Sequence, residues 1–279
     1  MISYARSFPI RKGKLRIINT LWPAVIRNHD TARLAKIKFG EFKLPCDLQE
    51  DLQRQFYFFG TYFLEDDMLC RWQREARGAR FIFDVGANLG IYSFAALAAA
   101  PDATVHAFEP TPEIAAQLEA AAEMNGLHKL NVHPVAVSSA NGHAKLNRCR
   151  GDTGTNGGMN FIWGDAGADD PSRVRTVCLD DFCEEYGIPH VDVLKVDVQG
   201  HEYEVFKGAE GLIKAGRIGL IFFELSWSKD PRTCPARQSI CLLEQYGYMF
   251  SPGGALEWRR SGEWMQGLSD VLARTALRS

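Results

Sequence analysis

The sequence predicts an α/β fold in which a doubly wound, mostly parallel sheet carries helices on both faces. Apolar runs of strand length recur at 81–85, 104–108, 131–137, 191–198 and 218–225. Helical patterns separate the first of these runs, at about 89–99 and again from Pro112 to about Met124. Strands that alternate with helices favour a parallel sheet, because a long crossover is needed to join parallel neighbours.

Length and composition fit one large domain with an extension. The chain has 279 residues, of which 46% are apolar and 11% aromatic, and its formal net charge is -2. Such a chain can bury a full core, and its charge does not suit a strongly cationic nucleic-acid binder. Seven cysteines without a CxxC pair indicate reduced thiols. No signal-peptide pattern or long apolar run occurs, so a cytoplasmic protein is expected.

The extension is expected to cover residues 1–75 and to be helical and aromatic. Its first 45 residues hold ten Lys and Arg against Asp30 and Glu41, a formal charge of +8. Because basic and bulky apolar residues mix here, two interpretations remain: a helix packed on the main domain, or a peripheral contact with an anionic membrane surface. The aromatic run at 56–67 is expected to pack under the core, with a wall for substrate as the alternative.

Local signals place the elements between the strands. Pro112 suits a first helical turn, and "NGL" after Met124 suits a helix stop. An insertion at about 139–178 contains two alternating stretches, "HAKLNRC" and "SRVRTVC", which are expected to pair as antiparallel strands. The glycine-rich stretch at 150–170 is expected to form a mobile lid. Near the C-terminus, "YGYMF" and "ALEWRR" predict a hairpin, followed by a short helix.

Acidic residues stand at the ends of four predicted strands: Asp84, Glu109, Asp197 and Glu224. In an open α/β sheet, ligands bind outside the carboxyl ends of the strands, so these side chains are expected at one edge. A single acidic residue after a strand is readily explained as a helix cap. Four of them, on four strands, indicate a ligand site.

The turn "DVGANLG", which begins at Asp84, narrows the class of ligand. A dinucleotide-binding turn has the pattern G-x-G-x-x-G, whose middle glycine lets the backbone approach a pyrophosphate. Asn88 occupies that place between Gly86 and Gly90, so a pyrophosphate fits poorly. An adenosine ligand with an amino-acid tail fits better: Asp84 would face its ammonium, the turn its carboxylate, and Glu109 both ribose hydroxyls.

Six blocks occur in a fixed order: "DVGANLGIYS", "AFEPTPE", "HPVAVSSANG", "TVCLDDF", "LKVDVQGHEYEVFKGA" and "FFELS". In this order they resemble the FkbM-like family of S-adenosylmethionine-dependent methyltransferases, over about residues 80–226. The resemblance implies a class I, Rossmann-like methyltransferase domain at 76–279, with a seven-stranded sheet that ends in an antiparallel hairpin. It also implies S-adenosylmethionine as the cofactor and, usually, oxygen as the atom methylated.

The resemblance also implies roles for individual residues. The cofactor-binding positions are Asp84, Gly86, Asn88 and Gly90 on the methionine side, Glu109 at the ribose, and Val137 or Ser138 near the adenine. The block "DVQGHE" would border the methyl group. Family members commonly have D-V-E-G here, whereas this chain has Gln199 in place of the glutamate. The resemblance therefore carries over no role for a carboxylate at this position, metal binding included.

Three residues are the catalytic candidates: Asp197, His201 and Glu224. His201 follows Asp197 by four residues, and an imidazole with a pKa near 6.5 can take a proton at neutral pH. A helix-cap partner without chemistry is the alternative for His201. No metal is required, although Asp197 and Glu224 could hold one magnesium ion. Lys195 is either a structural ion-pair partner on the opposite face or a contact for an acidic substrate.

The sequence therefore predicts an enzyme that moves the methyl group of S-adenosylmethionine to a hydroxyl. The acceptor would be a sugar of a glycolipid or polysaccharide, or a secondary metabolite, and not a nucleic acid. Two other classes remain as alternatives: a nicotinamide-dependent oxidoreductase on the same kind of sheet, which Asn88 disfavours, and a non-catalytic domain that binds S-adenosylmethionine within an assembly. The sequence does not indicate an oligomeric state.

Overall fold

A computed structural model describes most of the chain, namely residues 32–61, 66–147, 150–151, 154–155, 161–230, 232–252, 257–266 and 268–275. The basic segment 1–31 and seven residues of the glycine-rich stretch 150–170 lie outside these ranges. The predicted membrane contact therefore falls outside the described part of the chain, and the lid, which falls on a partly described stretch, stays a prediction. Within that part, no helix combines the length and the apolar character needed to cross a bilayer.

In chain order the elements are β1 (Ala32–Lys36), β2 (Lys43–Asp47), α1 (Asp51–Phe59), α2 (Asp66–Ala76), β3 (Phe81–Val85), α3 (Ile91–Ala99), β4 (Thr104–Phe108), α4 (Pro112–Met124), β5 (Leu130–His133), β6 (Ala136–Val137), β7 (Gly142–Asn147), β8 (Arg150–Gly151), β9 (Gly154–Thr155), β10 (Phe161–Asp165), β11 (Arg173–Val177), α5 (Leu179–Glu185), β12 (Val191–Val196), α6 (Glu202–Lys207), α7 (Glu210–Lys214), β13 (Ile218–Glu224), α8 (Pro235–Gln245), β14 (Tyr248–Pro252) and β15 (Asp270–Thr275). A short 3-10 helix, Glu263–Met265, precedes β15.

Seven strands form the central sheet in the order β14-β15-β13-β12-β3-β4-β5. From β13 to β5 neighbouring strands are parallel, whereas β15 runs antiparallel to both β13 and β14. From β3 the chain adds β4 and β5 on one side, and it then returns to add β12 and β13 on the other side of β3. A topological switch point therefore lies between β3 and β12. This order confirms the predicted doubly wound sheet with a terminal antiparallel hairpin.

Helices cover both faces of the central sheet. On one face the buried Trp72 of α2 packs edge-on against Phe222, with ring centroids 5.1 Å apart, and donates its indole N–H to the carbonyl of Tyr92. On the other face Phe206 of α6 packs edge-on against Phe223, at 5.2 Å. Consecutive residues of β13 therefore point into two separate cores, which explains why the strand is apolar throughout.

Residues 32–59, within the extension expected to be helical and aromatic, form a hairpin and a helix, and the hairpin was not predicted. β1 and β2 pair antiparallel, with buried Ala35 facing buried Leu44. This hairpin belongs to the same hydrophobic cluster as Leu272 of the central sheet. Phe56 and Phe58 of α1 are buried in that cluster, which confirms the expected packing of the aromatic run.

The predicted third strand, 131–137, is two strands in the structure. Pro134 separates them, because it has no N–H to donate to a ladder. β5 stays in the central sheet, while β6 pairs parallel with β11 in a four-stranded sheet of order β10-β7-β11-β6. β7 and β11 are antiparallel neighbours, which confirms the pair expected within the insertion.

The terminal hairpin has a different second strand from the predicted one. β14 pairs with β15, whereas the described part of "ALEWRR" makes only an isolated bridge, between Arg259 and Phe250. β15 can pair on both sides, with β13 and with β14, so it leaves no unpaired edge of its own. The predicted short helix is the 3-10 turn that precedes this strand.

Candidate methyltransferase site

The glycine turn joins β3 to α3 at the switch point of the sheet. Gly86, Asn88 and Gly90 all have positive φ angles, of 76°, 49° and 80°. A Cβ atom on Gly86 would lie 1.9 Å from the carbonyl oxygen of Asp197, and one on Gly90 would lie 2.3 Å from Cδ1 of Leu118. At Gly86 the turn is therefore packed directly against the backbone that follows β12, where only glycine fits, and at Gly90 it is packed against α4.

The N–H groups of this turn are engaged inside the protein. Those of Gly86 and Ala87 both donate to the carbonyl of Phe108, at 3.0 Å. That of Asn88 donates to Oε2 of Glu109, also at 3.0 Å. Three consecutive amides thus tie the turn to the end of β4.

Glu109 follows β4 and is 6% exposed. Besides the amide of Asn88, it accepts the N–H of Thr111 on Oε1, at 2.9 Å. Burial raises the pKa of Glu109, and these hydrogen bonds and the charge of Lys195 act in the opposite direction. The side chain of Thr111 is a third hydrogen-bond partner, and because a carboxylate has four lone pairs, Glu109 can still accept a hydrogen bond from a ligand.

Lys195 is a buried cation beneath the turn. Its Nζ donates to the carbonyl of Gly86 at 3.1 Å and lies 3.3 Å from Oδ1 of Asp84 and 3.6 Å from Oδ2 of Asp197. The fully buried Asp84 also accepts the hydroxyl of Ser93, at 2.7 Å. The carboxylate of Asp84 is therefore surrounded by protein groups beneath the turn, and Lys195 links it to Asp197.

Asp197 and Glu224 are brought together by a side chain that the sequence did not select. The amide nitrogen of Gln199 donates to Oδ1 of Asp197 at 2.9 Å and to Oε2 of Glu224 at 3.1 Å. The side chain of Asp197 is 39% exposed. Two of the three catalytic candidates therefore form one cluster at the carboxyl edge of the sheet.

Glu224 differs electrostatically from its neighbour. Burial, together with the charges of Asp197, Glu202 and Asp270, raises the pKa of Glu224 to about 8. Glu224 therefore carries a proton at neutral pH.

Among the residues that the structure describes, no group of three or more His, Cys, Asp or Glu side chains is arranged to hold a metal ion.

His201, the third catalytic candidate, lies with a predicted adenine-side residue instead. Its Nε2 is 3.0 Å from Oγ of Ser138, which follows the buried Val137 at the end of β6. Burial lowers the pKa of His201, so the imidazole is neutral at pH 7. In the described part of the chain, no hydrogen bond joins His201 to Asp197.

A seven-stranded sheet of this order, with a glycine turn after its first strand and an acidic residue after its second, defines the class I methyltransferase fold. Residues 84–250 match the family described as the methyltransferase FkbM domain. The match covers more than half of the chain. The chain therefore belongs to the FkbM family of methyltransferases.

Three relatives of known activity are similar to this chain. The 2-O-methyltransferase NoeI of Sinorhizobium fredii is 30% identical over 153 residues, covering 49% of this chain and 60% of the relative. The 31-O-demethyl-FK506 methyltransferase FkbM of Streptomyces tacrolimicus is 31% identical over 162 residues, covering 49% and 62%. The hexuronic acid methyltransferase AglP of Haloferax volcanii is 25% identical over 168 residues, covering 60% and 65%. The chain thus spans under two thirds of the length of each.

Proposed function

We propose that the chain is an S-adenosylmethionine-dependent O-methyltransferase whose acceptor is a hydroxyl of a sugar or of a related small molecule. Membership of the FkbM family supports methyl transfer. The names of two relatives specify an oxygen as the methylated atom, and that of a third specifies a hexuronic acid. These activities belong to the relatives, and they support the same chemistry here.

The choice between S-adenosylmethionine and a dinucleotide rests on three consecutive amides of the glycine turn, which all donate hydrogen bonds inside the protein. A pyrophosphate-binding turn directs its N–H groups at the phosphates, whereas those of Gly86, Ala87 and Asn88 are donated to Phe108 and Glu109. This disfavours a nicotinamide dinucleotide. The same amides are unavailable to the carboxylate of a methionine tail, so we assign the turn a packing role against that tail.

Glu109 fits the ribose of S-adenosylmethionine. Two backbone amides and the side chain of Thr111 fix its carboxylate, which keeps a lone pair for a ribose hydroxyl. Val137 and Ser138 are proposed to border the adenine, while Asp84 supports the methionine side from beneath the turn. When bound, S-adenosylmethionine supplies an electrophilic methyl group on a sulfonium.

Removal of the acceptor's proton is assigned to Asp197 rather than to His201. The Asp197 carboxylate is partly exposed and begins beside the glycine turn, whereas the half-buried His201 imidazole lies against Ser138, on the predicted adenine side. A hydroxyl is a poor nucleophile until its proton begins to leave, so a base positioned here contributes to the rate. Glu224, which is protonated, is proposed to hold the acceptor or Asp197 by a hydrogen bond.

Calorimetry on the purified chain tests the cofactor. S-adenosylhomocysteine is expected to bind with micromolar affinity and NAD not to bind. Glu109→Ala removes charge-assisted hydrogen bonds worth about 1.5–3 kcal/mol each, so its affinity is expected to fall at least about tenfold. Glu119→Ala, which removes an exposed carboxylate of α4, is the matched control. Tight binding of NAD, or equal affinities for the two variants, would contradict the assignment.

The acceptor class is tested separately with S-adenosylmethionine that carries a labelled methyl group. Cell extracts fractionated into glycans, glycolipids and small molecules are incubated with the chain, and the labelled products are identified by mass spectrometry. Label on a hydroxyl oxygen of a sugar supports the proposal. Label on nitrogen or carbon, or only on protein, would refute an O-methyltransferase of this substrate class.

A further inference from the structure

Gln199 has an unusual backbone and an unusual pair of partners. Its φ angle of 55° lies in the left-handed region, which a residue with a long side chain seldom adopts. Its amide nitrogen donates to two carboxyl groups on neighbouring strands, at 2.9 Å and 3.1 Å. The strained backbone is thus associated with a side chain that bridges Asp197 and Glu224.

The loop that carries Gln199 is braced on both sides. Oε1 of Glu202 accepts the N–H of Val198 at 3.4 Å and the N–H of Gly200 at 2.9 Å. Glu202 is only 1% exposed, so these two bonds are shielded from water. The loop is therefore held in the one conformation that directs the amide of Gln199 toward both carboxyl groups.

Without the bridge, Asp197 would be held less firmly. Its other side-chain partners are Lys195, whose Nζ lies 3.6 Å from Oδ2, and the protonated Glu224, which also forms a side-chain hydrogen bond with it. An amide nitrogen only donates hydrogen bonds, so it can satisfy two carboxyl oxygens at once without adding a charge. The bridge therefore fixes the direction of both side chains, beyond what the hydrogen bond between Asp197 and Glu224 does.

We propose that Gln199 is a positioning residue that holds the carboxylate of Asp197 toward the glycine turn, where the sulfonium of the cofactor binds. The carbonyl of Asp197 touches the turn so closely that Gly86 has no room for a Cβ atom, so the side chain of Asp197 begins beside the turn. A carboxylate held there stabilises a cation and does little for a neutral thioether. The inference rests on the proposed function, because it requires S-adenosylmethionine as the ligand.

The two forms of the cofactor provide a test without an acceptor. S-adenosylmethionine carries a positive sulfonium, and S-adenosylhomocysteine is neutral at the same sulfur. Gln199→Met keeps the length of the side chain and removes both donors. We expect its affinity for S-adenosylmethionine to fall by about three- to tenfold while that for S-adenosylhomocysteine changes by less than about twofold. Gln245→Met, at an exposed position of α8, is the matched control and is expected to change neither affinity.

A double-mutant cycle shows whether Gln199 acts through Asp197. In an Asp197→Asn background, Gln199→Met is expected to have no further effect on the ratio of the two affinities. An equal effect in both backgrounds, or an equal loss of both ligands in the single variant, would overturn the inference. If the unmodified chain bound neither ligand, the proposed function would fail as well. Wild-type binding with an unchanged ratio in Gln199→Met would refute the positioning role alone.

Discussion

At the scale of single residues, position separates the two candidate bases. Asp197 presents a partly exposed carboxylate beside the turn, whereas the half-buried His201 contacts Ser138 on the predicted adenine side. Asp197→Asn keeps the shape of the side chain and removes its basicity. We therefore expect turnover to fall by about 10²–10⁴-fold, because a positioned general base contributes that factor.

His201→Ala provides the comparison. Because the imidazole lies against Ser138 and has no hydrogen bond to Asp197 in the described part of the chain, its removal is expected to lower turnover far less than Asp197→Asn does. Single-turnover rates with labelled S-adenosylmethionine and an acceptor found by the labelling experiment, together with calorimetry of S-adenosylhomocysteine, separate chemistry from binding. A full loss of turnover in His201→Ala at unchanged cofactor affinity would show that the histidine is the base.

The sequence predicted the acidic residues of the site but not the groups that connect them. Asp197 and Glu224 could be selected from the sequence as catalytic candidates, because each stands at the end of an apolar strand and that pattern is local. Lys195 was ambiguous, because only the pairing of β12 with β3 sets it opposite Asp84. The bridge from Gln199 depends on a left-handed loop conformation that no local pattern announces for this residue type.

At the scale of elements, the contact between the glycine turn and β12 can be tested with two glycines of similar backbone. Gly86 and Gly126 both have positive φ angles, of 76° and 65°. A Cβ atom on Gly86 would meet the carbonyl of Asp197, whereas one on Gly126 would meet nothing within 4 Å. A substitution by alanine therefore imposes similar backbone strain at both positions, about 1–2 kcal/mol, and a collision only at Gly86.

Gly86→Ala is accordingly expected to displace the turn and to weaken binding of S-adenosylhomocysteine by more than about tenfold. Gly126→Ala is expected to lower the free energy of unfolding slightly and to leave that affinity unchanged. Urea denaturation and calorimetry on both variants make the comparison. Equal affinities would show that the turn does not shape the cofactor site.

Elements with strong local signals were predicted closely, and those that depend on distant pairing were not. Helix α4 begins at Pro112 and ends at Met124 as expected, because both ends carry residue-specific signals. The β1–β2 hairpin was missed although its apolar residues alternate, because the mixture of basic and bulky apolar residues over the first 45 residues was interpreted as a helix. The partner of β14 was mispredicted because the competing segment has a similar composition, and only the edge offered by β13 decides between them.

At the scale of the whole molecule, buried titratable groups give the two sides of the central sheet opposite responses to pH. His106 and His133 stack with ring centroids 5.2 Å apart, and burial lowers both pKa values to about 4. The unfolded chain takes up protons near pH 6.5 and the folded chain does not, so stability is lost as pH falls from 6.5 toward 4. The pKa of Glu224 is raised to about 8, so the stability that this group contributes when protonated is lost as the pH rises from about 4.5 through 8.

Two substitutions by uncharged side chains are expected to remove these two pH dependences of the free energy of unfolding, each independently of the other. His106→Phe keeps an aromatic ring among Phe83 and Phe182. Its free energy of unfolding, relative to that of the wild type, is expected to rise by on the order of 2–3 kcal/mol as the pH falls from 6.5 to 4.5. Glu224→Gln mimics the protonated acid, so its stability relative to wild type is expected to rise between pH 6 and 9. The strands β4 and β13 are three positions apart in the sheet, roughly 14 Å, so the effects should add in the double variant. Urea denaturation at several pH values measures each slope, and a single variant whose curve runs parallel to that of the wild type would show that the slope has another source.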